Sequence, residues 1–171
     1  MLRVLLFSLL ASISSADDTT PYNIHLAISS DPTKLFVSWR TNVSTSSLQV
    51  SYGITTALKQ SAIGSQWSFN DTAPSGSTTG TSKMYYFKKA TMTGLQPGQR
   101  YFYQVGGENG SAILSFVATR SREQFSSESP LKVAFLGDMG FTDGQALDYL
   151  VADAKAGLFD VYTHVGDLAY E

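Results

Sequence analysis

The chain has 171 residues, a formal net charge of −2 and no cysteine. This length fits one domain, or one domain with part of a second. The slightly acidic balance provides no basic surface for nucleic acid or an anionic membrane, so we expect neither as a partner. Without cysteine there is no disulfide framework, and any bound metal would need oxygen or nitrogen ligands.

Residues 1–16 have the pattern of a secretory signal peptide. Arg3 supplies the positive charge, VLLFSLLASI forms the apolar stretch, and Ser14-Ser15-Ala16 is a small-residue cleavage site. The apolar stretch is too short to span a bilayer, which needs about 20 residues. The pattern predicts a secreted or extracellular protein, with a vacuole or lysosome as other destinations.

Three Asn-x-Ser/Thr sequons agree with export, and they begin at Asn42, Asn70 and Asn109. Such sequons are the acceptors for N-glycosylation in secreted proteins. Each of them lies in a turn-like stretch of sequence, where a glycan fits on the surface. We therefore expect these three asparagines to be glycosylation sites.

From Tyr22 to Thr119, apolar and polar residues alternate with a period of two, as in half-buried strands of antiparallel sheets. Asn109-Gly110, between two such stretches, predicts a hairpin with a type I′ turn. Asn70–Lys83 is rich in Ser, Thr and Gly and predicts a long loop. About seven short strands in about 100 residues indicate an all-β sandwich of two sheets, assigned to residues 17–119. The clearest inward-facing sets are Ile24, Leu26 and Ile28; Leu35, Val37 and Trp39; and Leu48, Val50 and Tyr52.

The motif Leu95-x-Pro97-x-x-x-Tyr101 resembles the fibronectin type III pattern, in which a tyrosine near a strand start bonds back to the upstream backbone. Trp39 matches the core tryptophan of that family. The resemblance implies a fibronectin type III-like sandwich. His25 falls on the polar side of its predicted strand, and we interpret it as an ordinary surface histidine.

The pattern changes after a polar segment, 120–130, which indicates a linker. LKVAFLGD is a continuous apolar run, typical of a strand covered on both faces. A stretch of helical spacing follows, with Thr142 and Gln145 as a capping box and Gly157 as its stop. FDVYTHVGD is then a second apolar strand. This order predicts a βαβ unit, the start of an α/β domain over 131–171.

Asp138 and Asp167 each follow a glycine at the end of one of these two strands. A right-handed crossover makes the strands parallel, and if they are neighbours both carboxylates stand at the edge where open α/β sheets bind ligands. Gly137 and Gly166 let the backbone turn sharply there. Two converging carboxylates repel each other unless a cation lies between them, which predicts a hard-metal site. Tyr170 is near enough to join it, as a phenolate on a strongly acidic ion such as ferric iron.

GDMG at 137–140 and GDLAY at 166–170 resemble the first two sequence blocks of the metallophosphoesterases in their purple acid phosphatase form. The signal peptide and the sandwich fit the plant-and-fungal-type architecture of that family. The resemblance implies that Asp138 binds a ferric ion, that Asp167 bridges it to a second divalent metal (zinc, manganese or iron), and that Tyr170 is the tyrosinate ligand. It implies an acid phosphatase that acts on phosphate monoesters, and it leaves a homodimer open.

The family's later blocks supply an Asn and several His ligands, whereas this sequence has only His25 and His164. Strand alternation points His164 away from Asp167, so we interpret His164 as structural. After GDxxY the family often continues Ala-Asp, whereas Glu171 stands first here. We expect an N-terminal portion of the enzyme with a truncated start of the catalytic domain. Its catalytic residues are expected C-terminal to Glu171, so the chain has none of its own and no activity by itself.

Two other functions are weighed against this one. A secreted fibronectin type III-like binding module without catalysis remains the alternative. An aspartyl-phosphate mechanism is disfavoured because Asp138-Met139-Gly140 lacks the second acid, and a dinucleotide site is disfavoured because Gly137-x-x-Gly140 lacks the required glycine spacing.

Overall fold

The computed structural model describes residues 19–71, 82–107, 110–139 and 146–168. The predicted signal peptide, 1–16, lies outside the described residues. The chain divides into two compact units, the first running to Leu95 and including Gln99–Ala118, the second comprising Gln96–Gly98 and Thr119 onward. Within the described ranges, no helix is long and apolar enough to cross a membrane.

The first unit is an antiparallel sandwich. Its strands in the described residues are β1 (Tyr22–Ile28), β2 (Leu35–Thr41), β3 (Gln49–Gly53), β4 (Gln60–Ile63), β5 (Ser65–Asp71), β6 (Lys83–Met92), β7 (Arg100–Val105) and β8 (Leu114–Val117). One sheet has the order β1-β2-β6-β5 and the other the order β4-β3-β7-β8. The predicted two-sheet architecture is confirmed.

A single apolar core fills the space between the two sheets. Trp39 is only 1% exposed, so its predicted core position is confirmed. Ile28 was expected to face inward but is 54% exposed, because it is the last residue of an edge strand. The buried residues of the core are Leu35, Val37, Trp39, Val50, Tyr52, Ala90, Met92, Leu95, Tyr101, Tyr103, Val105, Phe116 and Ala118.

One lysine also faces this core. Lys88 alternates along β6 with Phe87 and Lys89, which face outward, and its own side chain is 0% exposed. The Lys88 ammonium donates to Thr41 Oγ1 and to the Tyr86 carbonyl oxygen, the latter at 3.3 Å. Burial lowers the pKa of the Lys88 ammonium, because an apolar interior disfavours the charged form.

The segment Asn70–Lys83, predicted as a loop, is strand at both ends, and that part of the prediction is wrong. Asn70 and Asp71 complete β5, and Lys83 begins β6. The two strands pair in register from Ser65↔Lys89 to Asp71↔Lys83. Pairing with a long neighbour overrides the weak strand preference of a Ser/Thr-rich sequence.

The predicted hairpin between β7 and β8 is confirmed by their antiparallel pairing, in which Tyr101 lies opposite Phe116. These two rings stack with a centroid distance of 5.7 Å. Residues 108 and 109 lie outside the described part of the chain, so the type I′ turn stays a prediction.

The second unit contains β9 (Val133–Met139), α1 (Leu147–Ala156) and β10 (Val161–Leu168). The strands pair in parallel, which confirms the predicted βαβ order. α1 ends at Gly157, whose φ of 68° lies in the left-handed region, as expected of a helix stop. Ala146 is the N-cap residue, and no side chain makes a capping hydrogen bond there. The predicted capping box at Thr142 and Gln145 falls outside the described residues.

The apolar strands of this unit are not covered on both faces within the described residues, contrary to the prediction. Phe135, Tyr162 and Val165 are 74%, 49% and 56% exposed, and α1 has no buried residue. A parallel sheet needs covering layers on both faces, which one helix of ten residues cannot supply.

Candidate functional site

The carboxyl ends of β9 and β10 lie side by side. Val161 pairs with Val133 at one end and Val165 pairs with Gly137 near the other, after which the register shifts. The two Gly-Asp dipeptides, 137–138 and 166–167, therefore lie at the same edge of the strand pair. That is the edge at which open α/β sheets bind ligands.

Asp138 combines an exposed side chain with a rare backbone conformation. Its φ of 48° lies in the left-handed region, which non-glycine residues seldom adopt. Its carboxylate lies against Gly166 of the neighbouring strand: a Cβ added to Gly166 would be 3.1 Å from Asp138 Cγ and would collide with Oδ1. Strained residues of this kind cluster at functional sites.

The two glycines of the repeated dipeptide differ. Gly166 has a φ of 83° and no room for a side chain, as the sequence interpretation required. Gly137 is absent from the left-handed region, and a Cβ added there would meet its nearest neighbour, Val165 O, at an ordinary 3.4 Å. In the first dipeptide the sharp backbone turn is made by Asp138 itself.

The structure describes only part of the remaining two predicted ligands, Asp167 and Tyr170. The backbone of Asp167 follows Gly166 in β10, but its side chain lies outside the described part, as does all of Tyr170. Among the side chains that are described, no three His, Cys, Asp or Glu gather into a metal site. Asp138 fits a hard cation, since it offers an exposed carboxylate at a strand end. The three-ligand metal site stays a prediction.

Glu171, where the sequence departs from the family's usual Ala-Asp continuation, also lies outside the described residues. The structure therefore gives this residue no position relative to the Gly-Asp edge. The expectation that the catalytic residues follow Glu171 stays a prediction.

The amino ends of the same strands are held by Asp160 and Arg120. Asp160 Oδ2 accepts hydrogen bonds from Lys132 N and Arg120 Nη2, both at 2.9 Å, and Asp160 N donates to Lys132 O at 2.9 Å. Arg120 Nη2 also donates to Pro130 O at 3.0 Å, and its guanidinium lies 4.2 Å from the Phe125 ring centroid. These contacts fix where the two strands start, and thereby the register of the edge that carries Asp138.

Sequence reasoning missed this anchor. The segment 120–130 was interpreted as a linker, yet it contains a 3₁₀ turn at Arg122–Gln124 in addition to Arg120. Arg120 and Asp160 are 40 residues apart, and no local pattern identifies such a pair.

The two histidines of the sequence lie in different units. His25 is exposed on β1, which confirms it as a surface residue. His164 is half-buried in β10, opposite Leu136. Its purely structural role stays a prediction.

The sequons differ in their surroundings. Asn42 is exposed in a bend after β2, and its Oδ1 accepts a hydrogen bond from Tyr22 Oη at 2.5 Å. Asn70 is exposed within the edge strand β5, so the expected turn-like setting is wrong for this residue. Asn109 lies outside the described residues.

Comparisons with known proteins identify relatives of this chain. A family model described as purple acid phosphatase, N-terminal domain, matches residues 21–122. Acid phosphatase type 7 of Mus musculus is 31% identical over 153 residues, and that of Homo sapiens 30% over 171 residues. These alignments cover 88% and 98% of this chain but 33% and 36% of the relatives, so the chain spans about a third of their length.

A solved structure has the same fold. The purple acid phosphatase of yellow lupin (Lupinus luteus) seeds matches with a TM-score of 0.69 at 18% sequence identity. The match covers 88% of this chain and 30% of the lupin chain.

Proposed function

This chain belongs to the purple acid phosphatase family, and we propose that it contributes the first metal ligands of an acid phosphatase that hydrolyses phosphate monoesters. The observation that carries the proposal is the parallel pairing of β9 and β10, which brings two Gly-Asp dipeptides to one edge with the Asp138 carboxylate against Gly166. A converging pair of carboxylates at that edge is suited to divalent or trivalent cations.

The residues have distinct roles in this proposal. Asp138 and Tyr170 would hold a ferric ion, and Asp167 would be a ligand of both this ion and a second metal, a divalent ion of zinc, manganese or iron. When bound, the metals supply Lewis acidity and neutralise the charge of the phosphate group. The protein's part would be to orient its oxygen donors: β9 and β10 carry the two aspartates at one edge, and Gly166 leaves the space that the Asp138 side chain fills.

We further propose that these residues are not sufficient for turnover. The 171-residue sequence has only two histidines, so three oxygen ligands must serve one ion while the second has no imidazole ligand. Imidazole ligands that this sequence does not supply would complete the site in a full enzyme. The protein is proposed to be a secreted glycoprotein, which the exposed position of Asn42 and the apolar start of the chain support.

Ferric titration of the 171-residue chain tests the ligand assignment. A visible tyrosinate-to-iron band is expected with weak affinity, and Tyr170→Phe should abolish it because only the phenolate oxygen is removed. Tyr162→Phe is the matched control, since Tyr162 lies in the same strand pair and should leave the band unchanged. Asp138→Asn and Asp167→Asn should each weaken the ferric affinity.

An activity assay separates ligand binding from catalysis. With para-nitrophenyl phosphate at acidic pH, the chain free of contaminating phosphatase is expected to show little or no turnover. A band that persists in Tyr170→Phe contradicts the ligand assignment, and turnover by the chain alone contradicts the need for further residues.

A further inference from the structure

The outer face of the β1-β2-β6-β5 sheet contains a cleft of about 360 Å³, which lies wholly within the first unit. The phosphatase proposal assigns it no role. Its lining includes four aromatic residues (Phe36, Trp39, Trp67 and Phe87), of which Trp39 belongs to the buried core, and two cations (Arg40 and Lys89). The lining contains no acidic residue, although the whole chain has a net charge of −2.

The aromatic part of the cleft is a partly exposed stack. Trp67 and Phe87 pack with a centroid distance of 5.7 Å and an interplanar angle of 17°. Trp67 is 48% exposed because it lies on the edge strand β5 and Phe87 covers only one of its faces. An exposed indole beside further rings is unfavourable in water, and patches of this kind mark binding surfaces.

Arg40 is held rigidly at one end of the cleft. A register shift between Tyr22 and His25, with Asn23 at a φ of 51°, places Tyr22 opposite Arg40. The Arg40 guanidinium carbon lies 4.4 Å from the Tyr22 ring centroid and 4.7 Å from that of Tyr85. A guanidinium between two rings is fixed in orientation, so little entropy is lost when it binds a ligand.

The positive charges of the cleft are not neutralised by the protein. Within the described ranges, neither Arg40 nor Lys89 forms an ion pair, and Arg40 Nε is buried without a hydrogen-bond partner. Lys89 Nζ lies 4.3 Å from the Phe36 ring centroid, a cation–π contact that leaves its N–H donors available. Charge complementarity therefore favours an anionic ligand with an apolar surface.

We infer that this cleft binds an acidic saccharide, meaning a sugar ring that carries a carboxylate or a sulfate. The negative face of an aromatic ring attracts the weakly positive C–H groups on the flat side of a sugar. The sugar ring therefore packs against the exposed indole of Trp67. Arg40 and Lys89 take the acid group through charge-assisted hydrogen bonds. Ser38 and His25 supply further polar contacts to hydroxyls. The cleft volume lies in the range of small-ligand sites.

The position of the cleft disfavours a peptide. β2 pairs with β1 and β6, and β6 pairs with β2 and β5, so the two strands beneath the middle of the cleft have both edges occupied. The strands at its two sides, β1 and β5, are edge strands. A peptide strand added to β1 or β5 would extend the sheet in its own plane and would not lie over the face that carries the cleft. Recognition has to come from side chains, and an aromatic stack beside fixed cations suits a sugar acid.

Binding is tested on the full chain with three hexasaccharides: a heparin fragment, an oligogalacturonate and maltohexaose. The first carries sulfate and carboxylate groups, the second carboxylates only, and the third is neutral. Titration calorimetry should detect binding of at least one acidic hexasaccharide and no binding of maltohexaose. The affinity for the acidic probe should fall as the salt concentration is raised. Comparison of the two acidic probes distinguishes sulfate from carboxylate recognition.

Substitutions locate the binding. Trp67→Ala should weaken it by about tenfold, and Lys89→Gln, which leaves the ring stack intact, by about threefold to tenfold. Phe135→Ala and Lys59→Gln are the controls, because each removes an exposed aromatic or cation outside the cleft and should change nothing. Polyglutamate serves as an acidic probe without sugar rings. The inference is overturned if neither acidic hexasaccharide binds, or if maltohexaose or polyglutamate binds equally well. It is also overturned if neither Trp67→Ala nor Lys89→Gln weakens the binding.

Discussion

Replacement of Lys88 by methionine should stabilise the first unit. The Lys88 side chain is 0% exposed, and the described partners of its ammonium are uncharged: the oxygens of Thr41 and Tyr86, and the Tyr86 ring, whose centroid is 5.8 Å away. Methionine keeps the length of the stem and removes a buried charge. Thr41 Oγ1 would still donate to Val43 O at 2.5 Å, so the substitution strands no hydroxyl. Exchanges of buried ion pairs for apolar groups of similar volume range from neutral to a gain of about 1–4 kcal/mol, and for this single charge we expect a gain of about 1–2 kcal/mol.

The same substitution should change how stability depends on pH. The folded-state pKa of Lys88 is lowered, so above that pKa and up to about 10.5 the unfolded chain binds more protons than the folded one. Stability of the wild-type protein should therefore rise with pH in this window, and the rise should be absent in Lys88→Met.

Urea unfolding followed by tryptophan emission provides the measurement, because both tryptophans, Trp39 and Trp67, lie in the first unit. Lys89→Met is the matched control: Lys89 adjoins Lys88 but is exposed, so its substitution should change stability by less than about 0.5 kcal/mol. A loss of more than about 1 kcal/mol in Lys88→Met would refute the reasoning. So would an alkaline rise that is equal in the variant and the wild type.

Four further results are expected. Trp39→Ala should cost about 3–5 kcal/mol in urea unfolding, and a loss below about 1 kcal/mol would show that the indole is not a core group. Burial raises the pKa of Tyr103 to about 12, so stability should fall as pH rises from about 10 to 12, and the fall should be smaller in Tyr103→Phe. Amide exchange should find Val133–Leu136 and Val161–Val165 less protected than the sandwich strands, since few of their side chains are covered; equal protection would contradict this. Gly166→Ala should weaken ferric binding by at least about tenfold, whereas Gly137→Ala should change it little; equal effects would be inconsistent with the difference between the two glycines.

The sandwich was predictable because the sequence pattern that specifies each strand lies within that strand. Alternation with a period of two specifies one buried face, and Leu35, Val37 and Trp39 are buried as that pattern requires. Its errors occur where the number and position of neighbouring strands decide the outcome. Ile28 is exposed at the end of an edge strand, and Asn70 is drawn into β5 by pairing with β6.

Contacts between distant residues could not be predicted in the same way. A lysine in a strand is expected to face solvent, and only the packed sandwich reveals that Lys88 points inward. The Arg120–Asp160 anchor joins two segments that are individually polar and carry no distinctive sequence pattern. The cationic cleft likewise needs β1, β2, β5 and β6 together, because no single strand contains all of its rings and charges.

At the repeated Gly-Asp dipeptide, one part of the site is predictable from sequence and another part is visible only in the structure. Sequence identifies the two aspartates, since each ends an apolar run, and parallel pairing brings their backbone positions to one edge. It assigns the same role to Gly137 and Gly166, whereas only Gly166 has a positive φ and a side-chain position already filled by Asp138. The strained backbone of Asp138 and the missing side chain of Gly166 act together: β9 turns the Asp138 carboxylate toward β10, and Gly166 leaves room for it. A carboxylate held in this way before a metal arrives needs little reorganisation on binding, which is why the strain is placed at this edge and not elsewhere in the strand pair.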